Sequence, residues 1–450
     1  MIMGAATTIA RIVPCTVENS IYDMPERHSG AKKERYLEAC RQYELRGLMK
    51  SDSFCKMFVK AERFDVASKR NPDPRAIQYR GGVYCVAFAA FLRPIEDFIY
   101  LSSFANDGVP PTRNVAKGLN SVMRAELLVT KLTHFADPVV VSVDMSRFDK
   151  HVAIAHLKAN HYIYLASNPS KLFASILSLQ LNNKCFSNLG LKYKCEGRRM
   201  SGDMDTAIGN ILIMLTMVIA ICRLTLKFSR WDCLDDGDDC LIILERDDLP
   251  TFQAEASGLF LQMGMEMTVS STTSSLFQID FCKSRVIEYQ PSRYKFVRDF
   301  RDVCSKSLCG SRNWTDPIYR ERVINATGMC ELVLNLGVPV LQSFACALLR
   351  NTRGGTRRHA RDGLLQRALR DASRLGVAIE NVQPVEICQC ARESFAEAFG
   401  LDPIQQQDIE SSLDAWVFTN DEPFESDSDW DVLTWFGCRT HHELYPIGHV

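Results

Sequence analysis

The sequence predicts an α+β protein built around an antiparallel sheet, and three observations carry that expectation. Val139-Val140-Val141-Ser142-Val143 is a β-branched run of strand length that follows Pro138 and ends at Asp144. Asp235-Asp236-Gly237-Asp238-Asp239, with Leu241-Ile242-Ile243-Leu244 close behind, reads as a hairpin with an acidic turn and a buried second strand, because Asp-Gly is a strong hairpin signal. Between these two lies 208–222, a stretch apolar nearly all round, as a buried helix is. The order strand, helix, helix, hairpin, helix, strand packs helices on an antiparallel sheet.

Along the chain, Pro72, Pro74, Gly81 and Gly82 break the first basic block into irregular strand and loop. Leu119 to Leu132 reads as a helix, and a second runs from about Val152 to Ala166 after Asp149. Gly197 through Gly202 forms a turn feeding the apolar helix, which ends near Arg223. After the hairpin come a helix from Leu249 to Met263, short strands at Met265–Val269 and Phe281–Tyr289, and a mostly helical remainder beyond Pro291. The apolar run is shorter than the ~20 residues a membrane span needs, so it is expected in a protein core and no intrinsic transmembrane segment is expected. Arg11 and Pro14 interrupt the apolar N-terminus, which does not read as a signal peptide.

A chain of 450 residues can hold about three domains or one large multi-lobed core. Its net charge of −1 conceals two basic blocks and an acidic tail from Glu393 to Asp431. Residues 56–80 carry Lys56, Lys60, Arg63, Lys69, Arg70, Arg75 and Arg80, and residues 350–374 are rich in arginine, including Arg357 and Arg358. That distribution suits a polyanionic partner held at defined places, although the 350–374 block alone reads equally well as a solvated helix face. The 17 cysteines are scattered without CxxC spacing, so free thiols in a reducing compartment are expected.

The chemistry concentrates in the aspartates. Adjacent carboxylates at a hairpin tip repel unless a divalent cation neutralises them. If the Asp144 strand neighbours the hairpin, Asp144 and Asp238 meet at the sheet edge, where such pairs hold two ions ~3.5–4 Å apart for in-line phosphoryl transfer. Oxygen donors favour magnesium, or manganese, over zinc. For Asp144 alone a turn or cap role is the better reading; beside the acidic hairpin it is not. Asp149, five residues on and past a turn, is expected to face another part of the same cavity. In Ser201-Gly202-Asp203-Met204-Asp205-Thr206-Ala207-Ile208-Gly209-Asn210, Thr206 and Asn210 share one helix face. A buried Asn210 needs partners, which Asp149 and a ligand hydroxyl would supply; a satisfied core asparagine is the plain alternative. His151, His156 and His161 are five apart and do not share a helix face, so no metal site is read there.

The ordered set Asp144-x4-Asp149, Ser201-Gly202-x3-Thr206-x3-Asn210 and Gly237-Asp238-Asp239 resembles viral RNA-dependent RNA polymerases. Asp144-Met145-Ser146-Arg147-Phe148-Asp149-Lys150-His151-Val152, followed by Arg199-Met200-Ser201-Gly202-Asp203-Met204-Asp205-Thr206, is most similar to tombusviruses and their insect and fungal relatives. Val59-Lys60-Ala61-Glu62-Arg63 with Pro74-Arg75-Ala76-Ile77-Gln78, Leu92-Arg93-Pro94-Ile95-Glu96 and Phe281-Cys282-Lys283-Ser284 extend the likeness over roughly residues 56–290.

The resemblance implies a right hand: fingers in 1–136, palm in 137–150, a fingers insertion in 151–198, palm again in 199–290, and a thumb with the acidic tail in 291–450. It implies that Asp144 and Asp238 ligate two magnesium ions with Asp239 beside them. It implies further that Asp149 and Asn210 read the ribose 2′-hydroxyl, that Ser201 and Thr206 shape that pocket, and that Lys60 and Arg75 hold the triphosphate. Lys69, Arg70, Arg357 and Arg358 would contact RNA. The implied partners are an RNA template and product strand, nucleoside triphosphates and other viral replicase subunits. The implied location is the host cytoplasm, at membrane-associated replication complexes reached through other viral regions or partners. Two departures stand out: Asp205, and Asp235-Asp236, occupy positions where the family usually has asparagine. No lysine lies between Glu245 and Lys283, so the family's proton donor to pyrophosphate has no clear counterpart, Arg246 and Lys283 being poor substitutes. A reverse transcriptase would share the palm aspartates, but Asp149 and Asn210 speak against it. An inactive RNA-binding scaffold leaves the full aspartate set without purpose. A generic metal phosphohydrolase leaves the basic block, Thr206 and Asn210 unexplained.

Overall fold

The computed structural model describes residues 1–60, 73–308, 316–352, 363–376, 379 and 382–417. Helices are mixed with mainly antiparallel sheets, so the α+β expectation holds. By packing, the chain falls into two compact units: one of residues 1–60, 74–118 and 130–274, the other of 119–129 and the described residues from 275 onward.

The first unit holds strands β1 (Cys55–Val59), β2 (Ala76–Tyr79), β3 (Pro138–Met145), β4 (Asn182–Ser187), β5 (Lys192–Glu196), β6 (Trp231–Asp235), β7 (Asp239–Glu245) and β8 (Met267–Thr273). They form two sheets, ordered β2-β1-β4-β5 and β6-β7-β3-β8. In the second sheet every pairing is antiparallel, and β3 is central. Its β-branched residues fit that place: Val139, Val140, Val141 and Val143 are all buried. Val139, Val141 and Val143 join one core with Cys240, Ile242 and Leu244 of β7 and with Ile211, Leu212 and Leu215 of the Thr206–Ile219 helix. The outer edge of β6 is closed by the 102–118 segment. There Asp107 and Trp231 exchange two backbone hydrogen bonds of 3.0 Å, and Ala116 N–H donates to the Asp235 carbonyl at 2.8 Å. A covered edge cannot template pairing with another chain.

The apolar helix is longer than the sequence reading allowed. Thr206–Ile219 runs on through a π-helical turn, Ala220–Thr225, giving 20 residues whose most apolar window has a mean hydropathy of 2.2. By length and composition it could cross a membrane; 83% of its most apolar window is buried inside the protein, which makes it a core helix. The sheet β2-β1-β4-β5 was not foreseen as a whole, because β4 and β5 carry polar residues at alternate exposed positions, Asn182 and Lys184 in one and Lys192, Lys194 and Glu196 in the other, and lack a long apolar run. The strand expected at Met265–Val269 lies at Met267–Thr273 instead.

The second unit opens with a hairpin of β9 (Ser284–Gln290) and β10 (Arg293–Arg298). Strand β10 falls where helix was expected after Pro291. Its polar–apolar alternation is broken by the adjacent pair Phe296-Val297, and Lys295 beside them is buried as well. Helices Phe300–Ser307, Pro317–Leu334, Leu341–Arg350, Gln389–Phe399 and Pro403–Ala415 follow, with Phe300, Phe344 and Phe395 in their shared core. The described cysteines are free thiols except Cys388 and Cys390, which are bonded to each other, contrary to the expectation for that pair.

Lys295 Nζ donates to the Leu336 carbonyl at 2.7 Å and stands 4.4 Å from the Tyr289 ring centre. Burial pushes its pKa down to about 7. The unfolded chain therefore binds the extra proton between about pH 7 and the ordinary lysine range, and native stability rises with pH across that window. Lys295→Met removes this dependence. Its stability relative to wild type, read from denaturant melts, should fall by ~2–4 kcal/mol between pH 7 and 10; a constant difference would contradict the assignment.

Candidate active site

The site grows from the register of two strands. Asp144 pairs with Asp239 across β3 and β7, one step beyond Val143 with Cys240. Because Val143 and Cys240 face the helix core, Asp144 and Asp239 project together from the opposite face. Met145 N–H donates to the Asp238 carbonyl at 3.3 Å, so both acidic stretches meet at this end of the sheet. Asp238 is exposed at the hairpin tip, with Asp144 and Asp239 half-buried. Gly237 sits at φ +109°, a conformation few side chains tolerate. Its N–H donates to Asp235 Oδ1 at 3.0 Å, which fixes the turn.

Beyond β3 the chain reverses through Arg147, which holds a left-handed φ of 50°. The Phe148–His151 turn then directs Asp149 toward the Thr206–Ile219 helix. Asn210 Nδ2 donates to Asp149 Oδ1 at 2.9 Å. Burial raises the Asp149 pKa and the charge of Asp238 adds to it, while Asn210, Arg199 and Arg75 work the other way. Asn210 also lies against the hairpin turn: a Cβ built on Gly237 would stand 3.7 Å from its own Cβ. Three separated stretches, 144–149, 201–210 and 237–239, thus converge.

The remaining predicted residues surround this point less tightly. Lys60 N–H donates to the Arg75 carbonyl at 2.8 Å, just past the Val59–Ala76 pair, so both stand at one end of the β1–β2 hairpin. Ser201 Oγ donates to the Ala76 carbonyl at 3.2 Å, and Gly202 N–H to Gln78 O at 2.7 Å. A Cβ on Gly202 would meet that same oxygen at 2.6 Å, so only glycine permits the approach. Thr206 Oγ1 lies 3.0 Å from the Met200 and Asp203 carbonyls, bracing the turn that starts the helix. Lys69, Arg70, Arg357 and Arg358 lie outside the described residues.

Sequence reasoning missed the buried ion pairs behind this turn. Arg80, counted in the basic block, is buried and gives Nε to Asp203 at 2.7 Å, Nη1 to the Ser53 carbonyl and Nη2 to Asn183. Arg199 pairs with Asp205 at 2.7 Å, and Gln180 Nε2 reaches Asp205 at 2.9 Å. The available signal was two aspartates, 203 and 205, just ahead of an apolar helix, with Arg198 and Arg199 adjacent. Buried charges are paired, so those aspartates required cations. The negative charge expected beside the site is correspondingly reduced. Asp205 faces Arg199, Lys117 Nζ stands 3.5 Å from Asp236, and burial pushes the Asp235 carboxyl well above the usual range, toward its neutral form. Arg246 forms a two-point pair with Asp137 at the far end of β3 and β7, roughly 20 Å along the strands from Asp144. That distance removes it as a proton donor here. His151, His156 and His161 bond to Ser146 O, Met263 O and Gln180 respectively, three separate roles.

Among the described residues no three His, Cys, Asp or Glu side chains form a ready metal cage. Asp144 and Asp239, directly opposite each other on one face, bring two like charges together, a repulsion that a divalent cation would offset. The donors present, all carboxylate oxygens, fit a hard divalent ion shared with a phosphate ligand.

Comparison with known proteins places the chain. A family model described as viral RNA dependent RNA polymerase matches residues 2–421, and the chain belongs to that family. It is 32% identical over 419 residues to the RNA-directed RNA polymerase of Groundnut rosette virus (strain MC1), covering 91% of this chain and 47% of that protein. The corresponding protein of Melon necrotic spot virus is 32% identical over 398 residues, 86% of this chain and 48% of the relative. That of Oat chlorotic stunt virus is 30% identical over 412 residues, 88% and 54%. The chain spans about half the length of these curated relatives.

Asp235 offers a test of the charge reading. With its folded pKa raised, the native state keeps a proton that the unfolded chain loses near pH 4, so its contribution to stability falls as pH rises through that window. Asp235→Asn cannot lose the proton. It should exceed wild type in stability by about 1 kcal/mol or more at pH 8, with the gap closing toward pH 4 in urea melts. A gap independent of pH would contradict the reading.

Proposed function

We propose that this chain is an RNA-directed RNA polymerase that copies an RNA template from nucleoside triphosphates by two-metal-ion nucleotidyl transfer. The observation that carries this reading is the meeting of Asp144, Asp238 and Asp239 at one sheet end, with Asp149 and Asn210 joined beside them. Asp144 and Asp238 would hold the ions, magnesium or manganese, with Asp239 adjoining. When bound, such ions neutralise charge on the attacking and leaving oxygens. Lys60 and Arg75, on one hairpin end, would hold the triphosphate and stabilise charge developing on the pyrophosphate group. Asp149 and Asn210 would bond the ribose 2′-hydroxyl. Ser201 and Thr206 would shape that pocket by fixing the turn against β2 and the helix start. In the same proposal 137–150 and 199–290, which include the β6-β7-β3-β8 sheet, are the palm, 1–136 and 151–198 are the fingers, and 291–450 are the thumb with the acidic tail. RNA is the template and product, and other replicase subunits or viral regions carry the chain to membrane-associated complexes in the host cytoplasm. The motivation for that last step is that the long apolar helix is occupied in the core. Expression of this chain alone should leave it off membranes in cell fractionation, and strong membrane association would overturn the step.

The polymerase reading is tested by primer extension on a defined RNA. Asp238→Ala and Asp144→Ala should each lose on the order of a thousandfold in rate while retaining RNA binding. Ribonucleotides should be preferred over deoxyribonucleotides by several orders of magnitude, up to ~10⁴–10⁵ for a well-enclosed hydroxyl site. RNA binding with no magnesium-dependent extension would instead identify a scaffold, and a preference for deoxyribonucleotides a reverse transcriptase.

A further inference from the structure

We infer that the buried Arg199–Asp205 pair is a positioning device that decides which way round the Asn210 amide is presented to the incoming ribose. The inference deepens the ribose-recognition reading above and rests on it.

An asparagine amide can sit in two orientations of nearly equal shape, one offering NH2 and the other the carbonyl oxygen. Beside the Asp149 carboxylate only the NH2 orientation is favourable. The structure fixes that choice from the other side as well: Arg199 Nε donates to Asn210 Oδ1 at 3.1 Å. A guanidinium has donors only, so the amide atom facing it must be the acceptor. One amide hydrogen then goes to Asp149. The second bonds to nothing among the described residues and is left for a ribose hydroxyl.

Arg199 is 3% exposed, and a charge so buried is tolerated only with a counter-charge. Burial works against its cationic form, and Asp205, fully buried and 2.7 Å from Nη1, more than restores it. The guanidinium lies on the backbone of the residue preceding Asn210, where a Cβ on Gly209 would stand 2.2 Å from Nη2. Arg199 N–H also donates to the Asp149 carbonyl at 3.0 Å. Residues 149, 199 and 210 therefore form a closed triangle, with Asp205 holding the charge that one corner requires.

The test is primer extension by the full chain on a defined RNA, measuring kcat and KM for one ribonucleotide and its 2′-deoxy analogue. Arg199→Lys keeps the charge but not the fixed fork of donors. It should lower the ribo-to-deoxy ratio of kcat/KM roughly tenfold to a hundredfold, mainly through the ribonucleotide KM, with the deoxy reaction little changed. Asp205→Asn keeps an acceptor without the charge and should shift the ratio in the same direction by less. If Arg199→Lys does not fold, as judged by thermal melting, Asp205→Asn decides alone. Equal losses for both nucleotides would make the pair merely structural and overturn the inference. An unchanged ratio in both variants, while Asn210→Ala lowers it, would overturn the inference and leave the ribose reading intact. An unchanged ratio in Asn210→Ala as well would remove the ribose reading and the inference together.

Discussion

The register of β3 against β7 governs both the stability and the chemistry of the first unit. Val139, Val141 and Val143 face the helix core together with Leu244, Ile242 and Cys240, their cross-strand partners. The same alternation sends Asp144 and Asp239 to the opposite face. A slip of one residue would turn every side chain over, placing carboxylates in the core and valines at the site. Each large apolar side chain so lost would cost about 1.5–3 kcal/mol, and each buried unpaired carboxylate several more. The flanking strands β6 and β8, and the 102–118 segment over the edge of β6, hold that register from both sides. The aspartates are aligned by the same contacts that keep the sheet folded.

A second constraint is the management of negative charge. Asp203, Asp205 and Asp232 are buried against Arg80, Arg199 and Lys131, and Asp236 has Lys117 nearby. Asp235 resolves the same problem by moving toward its neutral form. These residues brace turns and strands, whereas Asp238 stands exposed at the tip. An acidic sequence motif thus divides into carboxylates that build the scaffold and carboxylates that reach the open face.

Much of this was legible in the sequence because the decisive signals are local. A β-branched run after Pro138, an Asp-Gly turn and an all-apolar stretch each have one natural conformation, and the structure forms each of them. The partner of Asn210 at Asp149 followed from the need of a buried amide for hydrogen bonds. Contributions from distant chain were not legible. Arg80 is separated from Asp203 by 123 residues, and its burial contradicts the basic block in which it sits. Strands β4 and β5 were missed because pairing, of β4 with β1 and of β5 with β4, rather than an apolar pattern, makes them strands. Strand β10 was missed because it is short and the adjacent apolar pair Phe296-Val297 breaks its alternation.

The claim that Asp144 and Asp238 serve a shared set of cations is tested most directly by a double-mutant cycle on manganese affinity. Binding would be measured by titration calorimetry in the presence of RNA and a nucleoside triphosphate, for wild type, Asp144→Asn, Asp238→Asn and the double variant. Carboxylates acting on common ions give strongly non-additive losses, with the double variant little weaker than either single one. Losses that simply add, or manganese affinity untouched by either change, would show that the two aspartates do not share ions and would contradict the account.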